Sequence, residues 1–261
     1  MKKYLRIFWL FVRTGLIKDL SFRFSFFTSI LGSFIYVVLH FFTVFVLFNK
    51  IKLPGWGKYE LLLLFGIFLI LIYSTFFIFW RGLIRMIRNI RDGKFDYYLI
   101  LPVDSQFIVS IMGGGVHNFI AILAGIFCVG WALLHLSISF LFLKIILALF
   151  FLILALLDFY SFGLFLLCLN FKYGYLEEIL FVVFSLEDFM QFPLDIYKAL
   201  PSYILFFILP ISLLTSLPSS ILLNPQLPLV TMMSFTLISC LFIYSIRRFY
   251  FHSLRSYSSG S

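Results

Sequence analysis

Charge is scarce in this 261-residue chain. Only 12% of its side chains are Asp, Glu, Lys or Arg, against 63% hydrophobic, and the mean hydropathy is +1.10. A water-soluble globular domain carries about a quarter charged residues, so that class is excluded and an integral membrane protein remains. Cysteine is scarce too. Cys128, Cys168 and Cys240 each sit in an apolar run with neither metal-ligand nor disulfide spacing, so they read as small core residues and leave the compartment open. No residue alternation marks a membrane barrel: "LLLLFGIFLILIYSTFFIFW" (61–80) is continuously apolar and has the length of about 20 residues that a bilayer-crossing helix needs. The fold class is therefore all-α and polytopic. Nor is a signal peptide expected, since Arg13 cuts the apolar stretch that follows Lys2, Lys3 and Arg6.

What is present divides into six expected spans, at 24–48, 61–80, 114–134, 145–169, 177–199 and 227–246, forming one transmembrane domain over 1–261. Basic residues gather in 1–23, in 81–104 and at Arg247, Arg248 and Arg255, which places all three regions and both termini on the cytoplasmic side of a cell inner (plasma) membrane. Lys50, Lys52 and Lys58 in the first outer loop run against that rule, outnumbered by the six basic residues before the first span. Two inside termini require an even number of crossings. Either 177–199, with Glu187 and Asp188, or 201–223, broken by Pro210 and Pro218, must not cross; the expectation assigns the crossing to 177–199 and a re-entrant outer hairpin to 201–223. Residues 1–22 are too charged to insert. Their helical spacing, with Lys2, Arg6 and Arg13 on one side and Leu5, Trp9, Val12 and Leu16 on another, predicts an interfacial helix.

The polar exception is the 81–107 loop, with "RNIRDGKFDYYLILPVD" (88–104) at its centre. Arg81, Arg85 and Arg88 recur at helical spacing, Gly93 offers a left-handed stop, a short turn carries Asp96, and Pro102 ends it. An ordinary solvated loop would need only the charges. The apolar Leu99, Ile100 and Leu101 beside Phe95, Tyr97 and Tyr98 instead have the composition of an interface, so a docking surface stands beside the plain solvated reading.

Polar groups inside spans are the second set of candidates, since a charge at mid-bilayer costs roughly 2.5 to 3.5 kcal/mol on insertion scales. Asp158 in the fourth span, and Glu187 and Asp188 in the fifth, either pair with a polar neighbour or line a substrate path or proton relay. His117 and Asn118 follow the glycines 113–115 and read as interhelix hydrogen-bonding groups, with the glycines permitting close helix approach.

Three stretches in register resemble the permease subunits of type-two ABC exporters, in the branch with about 260 residues and six spans. They are "LPGWGKYELLLLFG" (53–66), "IRDGKFDYYLILPVD" (90–104) and "FPLDIYKALPSYILFFILPISLLTSLPSSILL" (192–223). The chain departs from the branch's pattern before Pro102, where Ile100 and Leu101 stand in place of an Arg. The resemblance implies a half-transporter that is not itself an enzyme, paired with a second permease copy or a similar permease, and powered by two copies of an ATP-binding subunit. It implies ATP and Mg on that partner, no cofactor or metal on this chain, and no nucleic acid. It also implies that Arg88, Arg91, Asp92 and Asp96 contact the ATPase through polar groups, Tyr97, Leu99 and Leu101 through apolar ones, with Gly93 and Pro102 shaping the loop. The sequence agrees, because neither Gly57-Lys58 nor Gly93-Lys94 stands in a phosphate-cradling Gly-x-x-x-x-Gly-Lys-Ser/Thr. The family suggests a lipid-like or amphipathic substrate. Two other classes compete: an ion-coupled secondary transporter using the intramembrane carboxylates, which should show paired inverted halves that are not detected, and a membrane-embedded enzyme, for which the four scattered histidines supply no convergent set.

Overall fold

In lipid an apolar run has no partner for its backbone but itself, and a helix satisfies each N–H and C=O internally. The computed structural model describes residues 2–50, 56–111, 115, 117–138, 140–173, 185–197, 202–224 and 226–257, and no strand occurs among them. Helix α1 (Lys2–Ser21) leads into α2 (Arg23–Lys50). Helix α3 (Lys58–Thr75) continues through a π-helical turn (Phe76–Trp80) into α4 (Arg81–Arg91), followed by α5 (Asp96–Leu99), α6 (Ser105–Ile111), α7 (Asn118–His135) and α8 (Leu141–Tyr173). A 3-10 turn (Asp188–Gln191), α9 (Leu194–Tyr197), α10 (Ser202–Leu223) and α11 (Leu229–Leu254) complete the described elements. Among the described residues five stretches are long and apolar enough to cross a membrane: Arg23–Thr43, Lys58–Arg91, Asn118–His135, Leu141–Phe171 and Leu229–Leu254. They coincide with five of the six expected spans.

The remaining two segments differ from expectation. The described part of 177–199 is not one helix: Glu187, the 3-10 turn and α9 form short pieces packed on α3 and α10, while residues 174–184 and 198–201 lie outside the described residues. The 201–223 segment, expected as a hairpin, is a single helix α10 that carries both Pro210 and Pro218 in its interior. Apolar surroundings explain the second difference, since nothing but an intact helix satisfies the backbone there, and hydroxyls supply extra bonds beside Pro218. Thr215, Ser219 and Ser220 donate to the carbonyls of Ser212, Ser216 and Leu217 at 3.3, 2.9 and 2.8 Å.

Helix α3 is apolar all round and is the core of the bundle, with Leu63, Leu64, Phe65, Phe68, Leu69, Leu71 and Ile72 all buried. Its packing on α7 depends on two glycines. A Cβ added at Gly66 would lie 2.8 Å from the Gly125 carbonyl oxygen, and one added at Gly125 would lie 2.8 Å from that of Gly66. The two backbones thus touch at a point only glycine allows. Of the glycines 113–115 only Gly115 is described, and the atoms nearest a Cβ there belong to Asn118 and His117, not to a neighbouring helix.

The ends of the bundle are tied differently. At the end remote from the Arg-rich loop, the buried Lys144 donates through Nζ to the carbonyl of Asn224 at 2.7 Å, neutralising the negative end of α10. At the basic end, Asp104 caps α6 by accepting the Phe107 N–H at 3.2 Å and also accepts Arg247 of α11 at 3.0 Å. Tyr250 donates to Ser105 at 3.1 Å, and Gln106 donates to Tyr160 of α8 at 3.2 Å. The start of α6, just after the loop, is therefore fixed to two spans at once.

Candidate coupling loop and intramembrane polar groups

Helix α4 separates its faces as its spacing predicts: Leu83, Met86 and Ile87 are buried while Arg81, Arg85, Arg88 and Arg91 are exposed. It stops at a Schellman turn. Lys94 N–H bonds to the Asn89 carbonyl at 2.8 Å and Gly93 N–H to that of Ile90 at 3.3 Å, with Gly93 at φ 65°, where a Cβ would be strained. The turn brings Phe95 into the bundle. This ring has no exposed surface and packs edge-on to Phe171 and Tyr257, with centroids 5.1 and 5.3 Å away, and against Tyr98 at 6.1 Å. Asn89 donates to the Tyr98 hydroxyl at 2.9 Å, closing the base of the loop.

Beyond that anchor the chain turns outward. Tyr97 is 63% exposed, Leu99 40% and Ile100 77%, so three large apolar side chains of α5 and its C-cap face away from the bundle. Asp96 is half-buried at the start of α5, Leu101 is half-buried, and Pro102 is exposed. The Pro102 carbonyl accepts Lys3 Nζ of α1 at 2.8 Å, and Tyr4 packs edge-on to Phe107 at 4.7 Å, so α1 is strapped to the loop. Arg91 and Lys94 both reach Asp92, at 3.0 and 4.0 Å. Arg88 stands apart from the Tyr97 to Pro102 tip: it lines a cleft of about 420 Å³ with Lys18 and Asp19 of α1, Arg81, Arg85 and His117. Burial, followed by the nearby Arg81 charge, lowers the pKa of His117.

The intramembrane candidates fall into two groups. Asp158 on α8 accepts a hydrogen bond from Ser239 on α11, while its other oxygen is buried with no partner among the described residues. Glu187 is buried and accepts the Tyr36 hydroxyl at 3.3 Å; Asp188 lies 3.8 Å from His40 and accepts Gln191 at 2.8 Å. Tyr36 and His40, whose rings are 3.9 Å apart, join this second group from α2 and were not singled out together by the sequence. Their spacing of four residues on one helix face was the available signal. Asn118 is buried, and its backbone N–H bonds to Gly115 at 2.9 Å. Among the described residues no cluster of His, Cys, Asp and Glu could hold a metal ion.

The sequence matches the family model described as ABC-2 family transporter protein over residues 34–261. The chain belongs to the ABC-2 transporter family. It is thus a permease subunit of an ABC transporter, a multi-pass membrane component of an assembly that includes an ATP-binding subunit and more than one permease. No curated protein matches the permease sequence.

Proposed function

We propose that this permease is the membrane half of an exporter for an amphipathic, lipid-like substrate, with residues 92–104 as the surface gripped by a separate ATP-binding subunit that supplies ATP and Mg. The observation that carries the reading is the loop's division of labour: Phe95 is fully buried while Tyr97, Leu99 and Ile100 are exposed, within a chain that matches the ABC-2 family. Exposed aromatic and aliphatic side chains on a firmly anchored turn are what a docking partner requires. Asp96 and Arg91 then serve as polar contacts at the rim. The strap between Lys3 and Pro102 gives α1 a part in transmitting motion from the loop to α2.

On this reading the basic end faces the cytoplasm and both termini are inside, with a sixth crossing between α8 and α11. Closure of two ATP-binding subunits on two permeases would rock the pair between inward and outward access, an equilibrium that nucleotide and substrate each bias. Asp158 and the Glu187 group would lie along the path or hold helices in one of the two states. The test is purification of the permease in mild detergent with its bound partner, followed by an ATPase assay of Asp96→Ala and Pro102→Ala. Retention of an ATP-binding subunit by the native chain, with weakened retention or uncoupled hydrolysis in the variants, supports the proposal. A permease that purifies alone and transports on an ion gradient would refute it.

A further inference from the structure

The cleft between α1, α2 and α4 lies apart from the exposed Tyr97 to Pro102 tip, and its chemistry is specific. Arg81, Arg85 and Arg88 stand in one row along α4, and Lys18 of α1 faces them across the cleft. Among the described residues the wall offers these four cations one carboxylate, Asp19, 3.4 Å from Arg81. Like charges three and four residues apart on a helix repel mildly, so an anion that enters the cleft is favoured by several side chains at once. Guanidinium forks match phosphate oxygens bidentately, which makes such a row better suited to phosphate than to a single carboxylate. The volume of about 420 Å³ falls within the roughly 300–1,000 Å³ of small-ligand sites.

Position distinguishes the source of that phosphate. The remaining wall comes from the start of α2, where the span Arg23–Thr43 begins: Phe22 and Phe26 with the hydroxyls of Ser25 and Ser29, one turn apart. This is the level at which headgroups meet hydrocarbon. Directly beyond, α2 leaves Phe27, Leu31, Phe34 and Leu39 exposed along its length, a surface that acyl chains can follow. The exposed Trp9, Ile17 and Leu20 place α1 in the same interface. An acidic segment of a protein partner would match the cations but not this continuity with the lipid-facing surface of α2.

We infer that the cleft lined by Lys18, Arg81, Arg85 and Arg88 binds the phosphate of an anionic glycerophospholipid from the leaflet at the basic end, with its acyl chains against α2. Such a lipid would brace α1 against α4, the two elements that hold the 92–104 loop. The site stands independently of the exporter reading, since lipid binding is measured on the permease alone.

Native mass spectrometry of the full chain in detergent, titrated with phosphatidylglycerol or phosphatidylcholine, tests it. The wild type should prefer phosphatidylglycerol. A variant combining Lys18→Gln with Arg85→Gln should bind it about tenfold more weakly or worse, as loss of charge-assisted hydrogen bonds predicts. The charge-matched pair Arg248→Gln with Arg255→Gln, on the exposed end of α11, should retain the preference, and inorganic phosphate at equal concentration should not displace the lipid. Equal binding of the two lipids by the wild type, or unchanged phosphatidylglycerol binding by the cleft variant, would overturn the inference. So would equal losses in both charge variants, displacement by inorganic phosphate, or a cleft variant that loses only the ATP-binding subunit, the result expected of a protein-docking surface.

Discussion

Replacing Phe95 by Ala separates anchoring of the loop from folding of the bundle. The ring is fully buried and meets Tyr98, Phe171 and Tyr257, so its removal leaves a cavity between the loop and the ends of α8 and α11. Truncation of a packed Phe costs about 3–5 kcal/mol. The two backbone bonds of the Gly93 turn contribute only about 1 kcal/mol each. Phe95 therefore contributes more to holding the loop down than any one of the hydrogen bonds at Gly93, Tyr98 or Pro102. A loss of 3 kcal/mol raises the open fraction of the loop roughly a hundredfold. Trypsin reports it directly, because Arg91 and Lys94 flank the turn. In mild detergent Phe95→Ala should be cut there at least about tenfold faster than the native chain and should retain less of the ATP-binding subunit. Tyr97→Ala, which removes an exposed ring, should be cut at the native rate yet retain less partner. A Phe95→Ala permease with native cleavage and native partner retention would refute the reasoning.

Other expected outcomes concern the bundle and its orientation. Gly66→Ala and Gly125→Ala should each lower the thermal midpoint in detergent, and the double variant should lose less than the sum, because both substitutions push apart the same backbone contact. Lys144→Met, at a buried site bonded to the Asn224 carbonyl, should lower the midpoint by an amount corresponding to about 1–3 kcal/mol, read by thermal unfolding. A double-mutant cycle on Asp104 and Arg247 should return a coupling below about 1 kcal/mol despite the 3.0 Å contact, since the Arg side chain is 56% exposed. In intact cells an impermeant thiol reagent should label a cysteine placed at Val230 from outside and one placed at Tyr97 only after the membrane is opened; the reverse pattern would invert the proposed orientation.

Much of the fold was legible because lipid simplifies the rules. Long apolar runs have one backbone solution, and five of them fold as expected. The loop was legible for a related reason: Gly93, the Arg spacing on α4 and Pro102 each act locally, and each sits where local chemistry puts it. Proline misled at 201–223: it removes an N–H and crowds the carbonyl four residues back in any solvent, but in lipid an unwound backbone has no water to turn to, so α10 keeps its course through both prolines. The reverse holds at 185–197, where apolar composition suggested a crossing but Glu187, Asp188 and Pro193 lie in a chain broken into short turns. Interhelix partners were the least legible. Gly66 and Gly125 are 59 positions apart and look alike to any other lone glycine in an apolar run, and nothing local marks Lys144 as the cap of α10. The basic cleft needs α1 folded back beside α4, a long-range event that the Arg spacing alone does not encode.

The most direct test of the coupling role is site-specific photo-crosslinking from three positions of the assembled transporter. A benzoylphenylalanine at Tyr97 and one at Ile100, both exposed at the basic end, should crosslink to an ATP-binding subunit, with a yield that changes on addition of ATP. The same probe at Leu134, exposed near the far end of α7, should give no such product. Crosslinks from Leu134 alone, or none from Tyr97 and Ile100 in an assembly that hydrolyses ATP, would contradict the assignment of the 92–104 loop as the surface that an ATPase grips.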